Sequence, residues 1–210
     1  MKALLDTVKE IFEKEQFIAT PTELYEPIEY TLRLGGKRIR PVMLLAANQM
    51  FGGDAESVKN AAIGIETFHN FTLLHDDLMD KSPLRRGKPT VYCKWNENTA
   101  ILSGDTMFAL AWRYFLKQPH AHLQEILNCF NETAIEVCEG QQFDMKGVIF
   151  IIFFKFNLIQ NTDYSHATFT SEQPVAVLQY YVSTCNFFHN APFHWVAWSL
   201  SSIKAMEEIR

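Results

Sequence analysis

Along the first 146 residues apolar positions recur every three or four places, and nothing alternates with period two, so the pattern predicts helices throughout. Leu4, Leu5, Val8, Ile11 and Phe12, with charges between them, predict an amphipathic helix over 2–16. A turn comes next at 19–22, where Thr20 before Pro21 reads as the start of a second helix. That helix should run to about 34 and stop at Gly35-Gly36. Pro41 can open a third over 42–51, which Gly52-Gly53 ends, and Asp54 is then placed to cap the next. From there to about 81 no proline intervenes. Ile63, Phe68, Phe71, Leu74, Leu78 and Met79 predict one long, mostly buried helix. Residues 82–90, SPLRRGKPT, read as a loop, and two further helices fit 96–117 and 121–145, separated by Gln118-Pro119. The fold class is therefore all-α, a helical bundle.

After Lys146 the character changes. Residues 147–210 hold only seven charged side chains but eight of the 17 phenylalanines, and their helical periodicity is weak. Residues 1–146 thus read as the folded part of the bundle. Residues 147–210 read as an atypical tail, a non-native continuation such as a frameshift would produce. The chain as a whole is globular in composition, 48% hydrophobic and 20% charged. Its net charge of −5, with no long basic run, predicts no nucleic-acid partner. Cys93, Cys129, Cys138 and Cys185 form no C-x-x-C pair, which predicts reduced thiols and a cytoplasmic location. The charged N-terminus lacks the apolar core of a signal peptide. The longest apolar run, 148–154, is far below the ~20 residues needed for a transmembrane segment.

On this acidic chain the basic residues cluster in islands, which points to small anionic ligands. The chemistry lies in four elements. Asp76 and Asp80 in HDDLMD are separated by one helical turn, so both carboxylates project from one face. Hard oxygen ligands of that kind suit Mg2+, which typically binds one or two carboxylates plus substrate phosphates. Arg85 and Arg86 come within a few residues, and guanidinium forks bind phosphate oxygens bidentately. In GGKRIRP, Gly36 permits close backbone approach, and Lys37, Arg38 and Arg40 put three cations in four positions. His69 stands seven residues before Asp76, two turns away on nearly the same face. Each element alone is also compatible with an ordinary solvated surface or a core histidine.

Together they resemble the polyprenyl synthetase family, the trans-isoprenyl diphosphate synthases. The matching segments are GGKRIRP (35–41), GIETFHNFTLLHDDLMDKSPLRRGKPT (64–90), AILSGDTMFALA (100–111) and EGQQFDM (139–145), in the family's order. The resemblance implies the first part of a helical bundle of the isoprenoid synthase type. It also implies a Mg2+-dependent prenyltransferase that condenses isopentenyl diphosphate with an allylic diphosphate, and a homodimer. Carried over position by position, Lys37, Arg40, His69 and Arg86 would bind the diphosphate of isopentenyl diphosphate. Asp76 and Asp80 would hold Mg2+ on the allylic diphosphate, which Arg85 contacts. Asp77 would support its neighbours, and Gln141 and Asp144 would face the metal site. Phe71 and Thr72, five and four residues before Asp76, would limit product length to the farnesyl or geranylgeranyl range.

The sequence departs from that family after Asp144. Asp163 and Glu172 stand alone there, and no second aspartate-rich motif is present. On this reading the chain by itself makes little or no product. Two other readings compete. One is a non-catalytic partner of a complete synthase; the other is a terpene cyclase, which GGKRIRP and His69 oppose because a cyclase holds no second diphosphate.

Overall fold

The structure, a computed structural model, describes residues 2–117 and 123–145. The expectations for residues 147–210 lie outside that range, as does the Gln118-Pro119 break; the side chain of Asp144 is likewise not described. The described residues belong to two compact units, one up to residue 127 and the other from residue 128.

The elements in order are α1 (Lys2–Lys14), α2 (Thr22–Arg33), α3 (Ile39–Met50), a 3-10 turn (Glu56–Val58) and α4 (Lys59–Met79). Then come β1 (Leu84–Arg85), β2 (Lys88–Pro89), α5 (Val91–Lys94), α6 (Glu97–Leu116) and α7 (Leu123–Met145). The all-α class holds, with one small hairpin added. α1 ends two residues earlier than its apolar pattern suggests. Arg33, in the last turn of α2, donates to the carbonyls of Phe12 (2.7 Å) and Glu15 (3.0 Å), satisfying acceptors that a helix end leaves open. α2 starts at Thr22 rather than Thr20, and Pro21 occupies its N-cap position.

α3 begins at Ile39, ahead of the predicted start at 42. Pro41 sits in its first turn, where an N–H has no intrahelical acceptor to lose, and the first i to i−4 bond runs from Val42 to Arg38 (3.2 Å). Asp54 is not the N-cap of α4, which is Val58, but it makes a capping-type bond just ahead of it. Its Oδ1 accepts from the Ser57 backbone N–H at 2.7 Å, at the 3-10 turn that leads into α4.

α4 is the central helix of the first unit, buried almost continuously from Ala61 to Phe68 and again at Asn70, Leu73, Leu74 and Asp77. Its most extensive partner is α6, and the two run antiparallel. They approach closely because each offers the other a glycine. A Cβ on Gly64 would lie 3.2–3.3 Å from Tyr114, Phe115 and the Ala111 carbonyl, and a Cβ on Gly104 would overlap the His75 ring. Met107, Ile63, Ile28, Leu32, Leu45 and Val8 are fully buried in this unit. In the second unit, Cys129, Phe130 and Ala134 on α7 are buried, and burial raises the pKa of the Cys129 thiol.

Residues 82–90 are not the plain loop their composition suggests. β1 and β2 pair antiparallel, Leu84 with Pro89 and Arg85 with Lys88. The connection is Arg86-Gly87, with φ of 54° and 76°. Left-handed conformation at both central residues is the type I′ hairpin turn, whose twist matches paired strands. Thr90 locks the base: its N–H bonds the Pro83 carbonyl at 3.0 Å and its hydroxyl the Ser82 carbonyl at 2.9 Å. Tyr30 of α2 donates to the Pro89 carbonyl at 2.8 Å, fastening the hairpin to the bundle.

Candidate active site

α4 ends within one residue of its last acid. Ser82 N–H bonds the Asp77 carbonyl (2.9 Å), Lys81 N–H bonds the Leu78 carbonyl (3.3 Å), and Lys81 is left-handed with φ 54°. This is a Schellman stop with lysine where glycine is usual. Asp76, Asp77 and Asp80 therefore occupy the last turn and cap of α4, which holds no basic residue. A helix C-terminus carries partial negative charge, so three carboxylates there are disfavoured unless a cation joins them.

Asp77 has its own cation. Arg85 Nε donates to both of its carboxylate oxygens, at 2.9 and 2.8 Å, and Nη2 lies 2.8 Å from Oδ1. The Asp77 side chain is 7% exposed. Burial pushes its pKa above the ordinary carboxylate value; the Arg85 hydrogen bonds and charge pull it down, and Asp76 and Asp80 push it up. Asp76 is half-buried and Asp80 exposed, one turn apart. Among the described residues no three His, Cys, Asp or Glu side chains converge as a metal cage. The donor set that remains is a pair of hard oxygens at a negative helix end. It fits Mg2+ whose other ligands are waters and phosphate oxygens, rather than a metal held by protein alone.

The basic residues meet elsewhere on α4. A cavity of about 420 Å³ is lined by Gly36, Lys37, Arg40, His69 and Arg86, with Arg38, Ile39 and Glu66. Five predicted substrate-binding residues thus come from three separate segments to one wall: the α2–α3 loop with the start of α3, the middle of α4, and the hairpin turn. Gly36, at φ 142°, is required here on two counts. Its backbone conformation excludes other residues, and a Cβ would come within 2.8–2.9 Å of the Arg86 guanidinium. Arg86 is exposed as a residue, yet its head is tucked against that glycine. Desolvation lowers its pKa from the usual arginine value, Glu66 opposes this, and Arg38 adds to it.

Asp76, Asp80 and Arg85 do not line this cavity. His69 and Asp76 lie about 10 Å apart along the α4 axis. The two groups are linked through the hairpin, because adjacent arginines go separate ways: Arg85 to Asp77 beside the acids, Arg86 to Gly36 in the cavity. Arg38 also departs from expectation. Counted among the three cations of its segment, it turns to the buried Glu66, Nη1 to Oε1 at 2.8 Å. Sequence reading missed Glu66, although a carboxylate inside the apolar stretch 61–68 signals a partner in the fold.

Phe71 and Thr72 are half-buried on α4. Phe71 meets Phe68 (centroids 5.7 Å apart), Phe108 of α6 (5.3 Å) and the edge of His75 (4.9 Å), while Thr72 donates to the His69 carbonyl at 2.8 Å. Gln141 is half-buried on α7, in the other unit.

The polyprenyl synthetase family model matches residues 21–170, well over half of the chain. The chain belongs to the polyprenyl synthetase family. This polyprenyl synthetase chain is 42% identical over 131 residues to the geranylgeranyl diphosphate synthase of Methanosarcina mazei, covering 61% of this chain and 40% of that protein. It is 37% identical over 146 residues to the short chain isoprenyl diphosphate synthase of Methanocaldococcus jannaschii, with 69% and 44% covered. Among solved structures, the geranylgeranyl pyrophosphate synthetase of Geoglobus acetivorans aligns with a TM-score of 0.61 at 39% identity, over 69% of this chain and 47% of that one. The chain thus spans about two fifths of the length of the curated relatives it matches. No helix among the described residues is long and apolar enough to cross a membrane.

Proposed function

We propose that this chain supplies the diphosphate-binding part of a trans-prenyltransferase, one that condenses isopentenyl diphosphate with an allylic diphosphate in isoprenoid biosynthesis. The observation that carries the reading is the convergence of Lys37, Arg40, His69 and Arg86 from separate segments on one cavity, with His69 on the helix that also presents Asp76 and, at its cap, Asp80. Lys37 and Arg86 offer charge-assisted donors to a diphosphate, and Arg40 and His69 complete the wall. Asp76 and Asp80 would hold Mg2+, which when bound supplies charge stabilisation for a departing pyrophosphate. Arg85, clamped to Asp77, keeps a cation beside the acids and would face the allylic diphosphate. Phe71 with Thr72 would limit prenyl length. A short or medium product, farnesyl to geranylgeranyl, is in keeping with the geranylgeranyl and short chain synthases among the relatives.

Calorimetric titration of the 210-residue protein with inorganic pyrophosphate, with and without Mg2+, tests this. Binding should tighten when Mg2+ is present, and Asp76→Ala should remove the Mg2+-dependent part alone. Equal Mg2+ dependence in Asp76→Ala would overturn the assignment. Incubation with labelled isopentenyl diphosphate, an allylic diphosphate and Mg2+ tests turnover. Little or no product is expected from this chain by itself, and robust product that Asp76→Ala abolishes would overturn that expectation.

A further inference from the structure

Glu66 is out of place in a cavity built for an anion. The wall around it carries Lys37, Arg38, Arg40, His69 and Arg86, and a carboxylate there repels whatever those groups attract. Its side chain is 3% exposed, and a buried carboxylate is costly unless it is paired and hydrogen-bonded. It is both. Arg38 Nη1 donates to Oε1 at 2.8 Å, and Asn70, one turn on, donates to the same oxygen at 3.3 Å and to the Glu66 carbonyl at 2.8 Å.

Arg38 in turn is held at three points. Besides Glu66, its Nη2 donates to the Leu32 carbonyl near the end of α2, and its guanidinium stacks 4.4 Å from the centroid of the Phe12 ring on α1. Its backbone is left-handed, φ 48°, at the N-cap of α3, where no side chain caps the helix. A residue with a Cβ adopts that conformation only when its surroundings compensate. The compensation is the inward clamp on α4, α2 and α1. Pulling Arg38 inward fixes the backbone on either side of it, and with it the places of Lys37 and Arg40 on the cavity wall. The same backbone sets Gly36, and so the seat of the Arg86 guanidinium.

We infer that Glu66 and Arg38 are positioning residues: they bind no ligand, and instead hold the Gly36–Arg40 segment on α4 so that the cavity is formed before an anion arrives. The inference rests on the proposal that this cavity takes a diphosphate. It has a consequence opposite in sign to simple electrostatics. If Glu66 acted only through its charge, Glu66→Gln would remove a repulsion and tighten anion binding. If it positions the segment, Glu66→Gln weakens binding, because glutamine keeps the shape and the bond from Asn70 but gives up the charged pair with Arg38.

The test is titration of the 210-residue protein with inorganic pyrophosphate in the absence of Mg2+, alongside hydrogen exchange of the backbone amides of residues 35–40. Lys37→Ala serves as the reference for the cavity itself and should weaken binding. Glu66→Gln should weaken it roughly tenfold and speed exchange in that segment, beyond any change in global stability. Arg38→Lys should do the same although it conserves charge, because an ammonium cannot reach Glu66 and the Leu32 carbonyl together. The double variant should cost less than the two singles combined. Unchanged or tighter binding in Glu66→Gln, with unchanged exchange, overturns the inference. Should Glu66→Gln not fold, Arg38→Lys carries the same two readouts. If Lys37→Ala leaves binding untouched, the diphosphate reading falls, while exchange in Glu66→Gln still decides whether the pair holds the segment.

Discussion

Arg85 grips Asp77 with three short contacts, Nε to both carboxylate oxygens and Nη2 to one of them. This joins the hairpin to the end of α4 at the point where two further acids project. The contact explains why a two-stranded hairpin with only two residues per strand can hold a defined place: it is tied at its tip side by Arg85 and at its base by Thr90.

Arg85→Lys therefore loses a geometry that an ammonium cannot reproduce. It should lower unfolding stability by about 2 kcal/mol, since the partner carboxylate is buried and left half-satisfied. Urea denaturation checks the size. Stability within about 0.5 kcal/mol of the parent would show that the pair is replaceable.

The acids at the end of α4 set stability against cation binding. Without Mg2+, Asp80→Asn should stabilise the protein by about 0.5 kcal/mol, because it removes a negative charge from a negative helix end. With Mg2+ and pyrophosphate present, the parent should gain in melting temperature and Asp80→Asn should gain much less. Thermal denaturation in EDTA and in Mg2+ reads both effects. Parallel shifts in the two proteins would count against Asp80 as a ligand.

Alanine normally stabilises a helix relative to glycine by about 1 kcal/mol. At Gly104 the sign should reverse, with a loss of about 2 kcal/mol, because the new methyl overlaps the His75 ring. At Gly64, where the neighbours stand 3.2–3.3 Å off, overpacking and helix propensity should nearly cancel. Chemical denaturation of both variants tests the contrast, and adding His75→Ala to Gly104→Ala should recover much of the loss.

Tyr114 supplies a pH signature. Its hydroxyl donates to Glu15 Oε1 at 2.7 Å, and burial first, then that hydrogen bond and the Glu15 charge, raise its pKa well above the ordinary value. Below about pH 10 the phenol is protonated in both folded and unfolded chains and adds no slope. As pH rises further, the unfolded chain releases its proton while the folded one keeps it, so stability falls. Urea midpoints measured from about pH 8 to 11, a range spanning the ordinary phenol pKa, should decline more steeply for the parent than for Tyr114→Phe. Identical slopes would mean the hydroxyl titrates normally in the fold.

The helices were legible in the sequence because their ends are written in strong local signals: Gly35-Gly36, Gly52-Gly53, Asp54, and Asn96, whose side chain accepts from Thr99 N–H at 2.8 Å. The hairpin was not. Two-residue strands are too short to show a period of two, and Arg86-Gly87 hides a type I′ turn usually announced by asparagine or aspartate. The four-residue α5 is too short for any periodicity. At the site, the same-helix relation of His69, Asp76 and Asp80 came from spacing alone. That Arg38, among the cations of this wall, is clamped to a buried carboxylate could not be read locally, because its partner Glu66 lies 28 residues away.

The paired glycines also bear on the aromatic side chains between them. α4 and α6 touch at Gly64 near one end and at Gly104 near the other, so their separation is pinned at two stations. Phe68, Phe71 and Phe108 fill the interval between those stations, with ring centroids 5.3–6.0 Å apart. Two rods clamped at both ends do not spread in the middle. The room available in that stretch is thus altered by exchanging a ring for a smaller or larger side chain, and hardly at all by the helices drifting apart.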